Sequence, residues 1–250
     1  MTLVFIAWGH YPGFQDALAC ARARAGCPIW VVSDGAPPAG VNHLPLSKFP
    51  IASRVRCEIA VNTGAWASFS LARWFVLHEL ITLRPEIKFP IFCADWDVLI
   101  FRNLAEAYRP FEKFDYTVSI EGTMESAAYG INHMRPLQSF CELVQKLNYE
   151  NDPRAKNLND MEAWSLNRRA HNWNVGNLHE IHDGCVFDHS MHCGADRFMM
   201  NGPAKKVLFK KGQPYFVPND SKIIAANSLH CWGSYKTRTA EVRKMAGIEL

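Results

Sequence analysis

Six consecutive residues near the start of the chain, Thr2-Leu3-Val4-Phe5-Ile6-Ala7, form an almost unbroken apolar run, the pattern of a strand buried on both faces. A Gly9-His10-Tyr11-Pro12-Gly13 turn follows. Residues 14–25 then read as a helix, with Gly26 as its natural C-terminal stop. Ile29-Trp30-Val31-Val32-Ser33 is the next apolar strand, closed by Asp34-Gly35. A strand–helix–strand opening implies parallel strands joined by a right-handed crossover. Trp66 to Leu83 predicts a long amphipathic helix that Pro85 stops. Ile91-Phe92-Cys93-Ala94 is a third buried strand, and it runs straight into Asp95-Trp96-Asp97.

Residues 115–120 predict another strand, and residues 137–147 and 161–169 predict helices separated by a polar loop over 150–160. Short strands follow, including a hairpin of Val207-Leu208-Phe209 with Tyr215-Phe216-Val217 around Lys211-Gly212-Gln213-Pro214. Strands that alternate with helices and then give way to a β-rich segment predict an α/β fold. Its central sheet is mixed but mainly parallel, and ligands sit at the strand ends. No repeat or linker divides the chain, so residues 1–250 are expected to form a single domain.

Composition narrows the function classes. Of the 250 residues 48% are hydrophobic and 20% charged, enough for a core that needs no disulfide. The formal net charge of +3 is too small to suggest a nucleic-acid partner. Lys205-Lys206 and Lys210-Lys211 read as solvated surface, with a weak contact to anionic lipid as the alternative. The first residues carry no basic leader, and no apolar run reaches the roughly eighteen residues of a membrane span. The eight cysteines contain no C-x-x-C pair and sit in apolar runs, as free thiols of a reducing compartment do. The expected location is therefore the cytoplasm, with the inner face of the membrane as a further option.

Two segments carry candidate chemistry. Asp95 and Asp97 leave a buried strand one residue apart, where two carboxylates can bind one hard divalent cation. Mg²⁺ and Mn²⁺ are usually completed by substrate phosphates, so a phosphate ligand is implied. Far downstream stands His230-Cys231-Trp232-Gly233-Ser234-Tyr235-Lys236. Its histidine can supply a metal nitrogen, its glycine lets backbone approach a phosphate, and its lysine places a charge on a diphosphate. Either segment taken by itself reads first as an ordinary turn: a strand end with two solvated aspartates, or a C-terminal turn with a core histidine and a surface lysine.

Together, D-x-D after a buried strand and H-x-x-G-x-x-K downstream resemble the GT-A fold glycosyltransferases. The likeness is to the group of glycogenin and the bacterial lipooligosaccharide galactosyltransferases. The resemblance implies that Asp95, Asp97 and His230 bind Mn²⁺ (or Mg²⁺), and that Gly233 and Lys236 touch the diphosphate of a donor, UDP-linked in that group. It implies a sugar acceptor that is a glycan or glycolipid. It also implies a nucleotide-sugar half over 1–120 and an acceptor half over 121–250. By the same likeness Ala7 and Tyr11 meet the nucleotide base, and Trp96 belongs to the donor site. Arg73 faces the donor, with a surface salt bridge as the alternative. Asp160 reaches the transferred sugar, with a helix N-cap as the alternative. The proline and tryptophan that often follow the family's lysine are replaced here by Thr237-Arg238.

Asp97, Asp160 and Lys236 are thus the expected catalytic positions. An inverting reaction would need a carboxylate base, for which Asp160, Glu162 and Asp188 are candidates; the motif likeness favours retention. Cys185, His189, His192 and Cys193 are zinc-ligand types, but they reproduce no known spacing, and a loop and strand flanking the active site is the preferred reading. Two other functions remain open from sequence: a phosphatase of the haloacid dehalogenase type, and a catalytically inactive sugar-nucleotide or glycan-binding module.

Overall fold

A computed structural model of the chain describes residues 1–9, 11, 13–36, 39–121, 124–220 and 222–250. His10 and Pro12 of the predicted turn lie outside the described residues. The first part of the chain gives β1 (Thr2–Ala7), α1 (Phe14–Arg24), β2 (Ile29–Ser33), β3 (Asn42–Pro45), α2 (Pro50–Leu83), β4 (Ile91–Ala94), β5 (Val98–Ile100) and α3 (Leu104–Tyr108). The middle gives β6 (Tyr116–Glu121), β7 (Met124–Ile131), α4 (Met134–Tyr149), α5 (Asp160–His171) and β8 (Val175–Asn177). The last part gives β9 (Cys185–Phe187), β10 (Met200–Asn201), β11 (Ala204–Lys205), β12 (Val207–Lys210), β13 (Gln213–Phe216), β14 (Ile224–His230) and α6 (Thr239–Met245).

The main sheet has the order β3-β2-β1-β4-β7-β6-β8. β1 lies parallel to both β2 and β4, as the opening pattern implies. β7 runs antiparallel to β4 and β6, which makes the sheet mixed. The apolar run of β1 serves two cores. Val4 and Ile6 pack with Leu71 and Trp74 of α2 and with Phe140 and Trp164 of α4 and α5. Leu3, Phe5 and Ala7 face the other way, onto Phe14, Ala17 and Leu18 of α1. Alternate strand side chains point to opposite faces, so a strand covered on both sides must be apolar at every position.

The predicted helix over 66–83 starts earlier, at Pro50. Among the described residues of its first half, Ala52, Val55 and Ile59 are buried, a stripe too narrow to stand out in the sequence. Gly64, at φ +77° and ψ 170°, interrupts the helix. In one straight helix Ala52 and Glu79 would stand about 40 Å apart at 1.5 Å per residue. Instead a Glu79 carboxylate oxygen accepts the Ala52 N–H at 2.7 Å, so the two halves lie against each other. That carboxylate satisfies free N–H groups at the start of the first half.

A second sheet, β12-β13-β14-β5 with β9 alongside β14, decides where the chemistry goes. β5 begins one residue after Asp97, and β14 ends at His230. The two strands are antiparallel, with His230 opposite Val98 and Leu229 opposite Leu99. The Cys231 N–H donates to the Asp97 carbonyl at 2.9 Å. α6 is tied back to α1 by a buried ion pair, Arg243 Nε to Asp16 Oδ1 at 2.6 Å, and by the Thr239 hydroxyl donating to Asp16 Oδ2 at 2.8 Å. One surface expectation fails: Lys205 is 2% exposed, the tail of β11 turning it inward, while Lys206, Lys210 and Lys211 are exposed.

Candidate active site

The pairing of β5 with β14 brings the two sequence motifs into one place. Asp95, Asp97 and His230 each offer a ligand atom, and all three atoms lie within 4.8 Å of one another. His230 Nε2 stands 3.5 Å from Asp97 Oδ1, and Lys236 Nζ stands 3.3 Å from Asp97 Oδ2. His230 Nδ1 lies 2.6 Å from the His189 carbonyl oxygen, which can only accept a hydrogen bond. Nδ1 therefore carries a proton. In the neutral ring Nε2 then presents its lone pair towards Asp97, the arrangement of a metal-binding histidine. Two carboxylates and one imidazole nitrogen at this spacing fit a divalent cation such as Mn²⁺ or Mg²⁺.

Asp97 is 2% exposed. Burial opposes its charge, but His230 and Lys236 outweigh burial and hold its pKa below the ordinary carboxylate range. The same contact seen from His230 has the opposite sign. Burial disfavours the imidazolium, yet the hydrogen bond and charge of Asp97 prevail and raise its pKa. Without a metal, the pair is thus held together by charge.

Arg73 of α2 reaches Asp95 with one terminal nitrogen and Asp160 with the other. Trp74 Nε1 also donates to Asp160 Oδ2, at 3.3 Å. Arg73 is 8% exposed; its pair with Asp160 is buried and its pair with Asp95 part-buried at the pocket wall, so the surface-bridge reading does not hold. Beneath them lies a packed aromatic cluster: Trp74 meets Trp164 edge-on at 5.2 Å, and Phe140 stacks on Trp164 at 4.5 Å. These rings fix the floor under Arg73 and Asp160. Asp160 is the first residue of α5, and the N-cap is its neighbour Asn159, which accepts the Glu162 N–H at 2.9 Å. Asp160 is therefore not the helix cap. Its carboxylate is free to turn inward because Asn159 does the capping.

The pocket enclosed by these groups has a volume of about 210 Å³. Arg73, Asp95, Trp96, Asp97, Asp160, His230 and Lys236 all line it. Tyr11 stacks on the Trp96 ring at 4.6 Å, and Lys236 Nζ lies 4.6 Å from its centroid. Tyr11, Ala7 and Gly233 themselves stand outside the lining. Gly233 adopts φ +64°, a left-handed turn between Trp232 and Lys236 that glycine alone accepts without strain.

Two candidate bases are placed elsewhere. Glu162 is exposed and returns to the Asn159 N–H at 3.4 Å, completing the helix cap. Asp188 is sealed in a buried ion pair with Lys205 at 2.7 Å. The zinc alternative also fails among the described residues, where Asp95, Asp97 and His230 are the one group of three or more such side chains close enough for a shared ion. His192 instead sets its two ring nitrogens against the carbonyls of Pro203 and Trp232, at 3.1 and 3.0 Å. Sequence reasoning did not single out Phe69, Ser70, Met161 or Trp232 as pocket walls. Phe69 and Ser70 were within reach, since they lie one helical turn before Arg73 on the same face.

His179 and His189 lie side by side, ring centroids 5.9 Å apart. Burial, the largest cause for each, lowers the pKa of both from 6.5 to about 4. They are neutral in the fold, whereas the unfolded chain binds protons on both below pH 6.5. The folded state should therefore lose stability as pH falls from about 6.5 to 4, on the order of 3 kcal/mol per histidine. Urea unfolding at pH 7.5, 5.5 and 4.5 measures this. A flat profile would show that these rings are charged or solvated in the fold.

Comparison with known proteins adds to this geometry. No family model and no curated protein matches the sequence. Among solved structures, mouse xyloside xylosyltransferase 1 matches with a TM-score of 0.50 at 12% identity, over 71% of this chain and 85% of that one. The PaToxG glycosyltransferase matches at 0.45 and 10%, over 68% and 67%. An active-site mutant of LgtC matches at 0.44 and 13%, over 75% of each chain. At such identities only architecture is established, and the first match carries that point. The chain therefore has the GT-A fold of glycosyltransferases, with its acidic pair and its distant histidine drawn together at one pocket.

Proposed function

We propose that this protein is a metal-dependent glycosyltransferase that moves a sugar, a hexose on a UDP carrier, to a hydroxyl of a glycan or glycolipid. The observation that carries the reading is the meeting of Asp95, Asp97 and His230 within 4.8 Å, from segments more than 130 residues apart in the sequence. Lys236 stands beside them, 37% exposed at its side chain and so able to reach a ligand in the pocket.

Asp95, Asp97 and His230 would hold Mn²⁺ or Mg²⁺, which when bound neutralises charge on a departing diphosphate. Lys236 adds a fixed positive charge on the same side, and the backbone at Gly233 permits close approach. Arg73 and Asp160 face the region where the transferred sugar would sit. Half-exposed Trp232 offers a ring face to an acceptor sugar. During transfer the acceptor oxygen bonds to the anomeric carbon, the carbon–phosphate oxygen bond breaks, and the acceptor proton passes to the leaving phosphate. Among the described residues Asp95, Asp97 and Asp160 are the carboxylates of the pocket wall, and all three are engaged by cations of the protein. No unengaged carboxylate base stands among the described residues of that wall, which supports retention of configuration.

No helix among the described residues is long and apolar enough to cross a membrane. All eight cysteines are free thiols, which supports action in a reducing compartment such as the cytoplasm. A screen of nucleoside-diphosphate sugars with Mn²⁺ tests the proposal. Release of nucleoside diphosphate should occur with UDP-hexoses and stop in excess EDTA. Turnover undiminished by EDTA, or no turnover with any donor, would overturn it.

A further inference from the structure

The lysine that the sequence placed on the surface lies at the centre of a buried polar chain behind the metal site. Lys205 and Asp188 both have side chains that are 0% exposed, and they meet at 2.7 Å. Lys205 Nζ also donates to the Ser190 carbonyl at 2.7 Å, and the Lys205 N–H donates to the Met191 carbonyl at 2.8 Å. The rings of Phe198 and Phe216 each lie 5.3 Å from the ammonium. The segment 188–191 is thus clamped by one residue. That segment in turn grips His230 three times, one of them through the Met191 N–H, which donates to the His230 carbonyl at 3.1 Å. Asp188 Oδ2 accepts the His230 N–H at 3.0 Å, and the His189 carbonyl accepts Nδ1–H at 2.6 Å.

Burying a lysine and an aspartate together strips both of water, a cost that their attraction returns only where the geometry is excellent. An apolar pair would serve packing as well. A charged pair here has a geometric consequence that an apolar pair lacks: it fixes the carboxylate that holds the His230 backbone N–H, and it ties down the Ser190 carbonyl next to the His189 carbonyl that accepts from the ring. We propose that Lys205, acting through Asp188, is a positioning residue that locks the His230 ring with Nε2 turned to the metal. This inference rests on the metal site described under Proposed function. Groups that orient a metal-binding histidine commonly change metal affinity by about 10- to 100-fold when removed.

Replacing Lys205 alone would leave Asp188 as an unpaired buried charge and could unfold the protein. The test therefore uses the double substitution Asp188→Leu with Lys205→Met, which removes both charges and keeps apolar volume. Mn²⁺ affinity of the wild type, the double variant and His230→Ala is measured by electron paramagnetic resonance of free Mn²⁺. The expected result is a folded double variant whose Mn²⁺ affinity falls about 10- to 100-fold. Long-range ¹H–¹⁵N spectra should show the His230 Nδ1–H signal in the wild type and its loss or broadening in the variant, an effect that a purely packing role would not produce. Wild-type affinity and an unchanged His230 signal in the double variant would overturn the inference. If the double variant fails to fold, Asp188→Asn with Lys205→Gln supplies the answer, because it too removes both charges: the weakened contact should shift the same signal, and an unshifted signal counts against the proposal. Equal Mn²⁺ binding by wild type and His230→Ala is a separate outcome, because it would overturn the metal site itself.

Discussion

Asp97→Asn is expected to abolish tight Mn²⁺ binding and to lower sugar transfer by about a thousandfold, equivalent to roughly 4 kcal/mol of barrier. Asparagine keeps the shape and one carbonyl oxygen but removes the charge. The carboxylate is buried between His230 and Lys236, which hold it ionised. Once it is neutral, His230 loses the partner that raises its pKa, and burial drives the ring towards the uncharged form. The fold should survive, since the β5–β14 register depends on backbone pairing and not on this side chain. Initial rates with a UDP-hexose and far-ultraviolet circular dichroism check both halves of the expectation. Activity within about twofold of the wild type would remove Asp97 from the mechanism.

Arg73 carries the second large effect. Its two terminal nitrogens go to two different carboxylates, Asp95 and Asp160, and its guanidinium lies 4.9 Å from the Trp74 ring centroid. Arg73→Met leaves both carboxylates without their cation in a buried setting. The expected loss is about 3 kcal/mol or more, which lowers Tm by about 6–12 °C for a chain of this size. Arg73→Lys keeps a charge but has one nitrogen where the geometry uses two. It should fold with nearly normal stability while transfer falls about a hundredfold, because Asp160, the carboxylate proposed to face the sugar, is no longer held in place. Calorimetry and initial rates separate the two effects. A lysine variant with full activity would show that joint positioning of Asp95 and Asp160 is unnecessary.

The ease with which different parts could be read from sequence follows from how local their signals are. β1, β2 and β4 stand out because strands covered on both faces are apolar at every position, and α4 because its apolar face repeats with helical period. The first half of α2 escaped because its apolar stripe, Ala52, Val55 and Ile59 among the described residues, is narrow, and because Glu79, distant in sequence, caps it. β5 and β14 are short or unremarkable as sequence, yet their register is what sets His230 beside Asp97. The motif residues themselves were legible: Asp95, Asp97, His230 and Lys236 meet as their residue types imply. Arg73 and Asp160 were legible as candidates, but their shared ion pair was not, since 87 residues separate them. Lys205 was misread for the same reason. A lysine in a pair of lysines looks solvated until the fold supplies a buried aspartate 17 residues away.

The central claim is that three side chains hold one divalent cation. Crystals grown with Mn²⁺ and UDP, measured at the manganese absorption edge, test it most directly. A single anomalous peak should appear among Asp95, Asp97 and His230, at about 2.0–2.2 Å from Asp and His atoms, with diphosphate oxygens completing the shell. A peak elsewhere, or bound UDP with no peak between these three residues, would contradict the site and the reaction built on it.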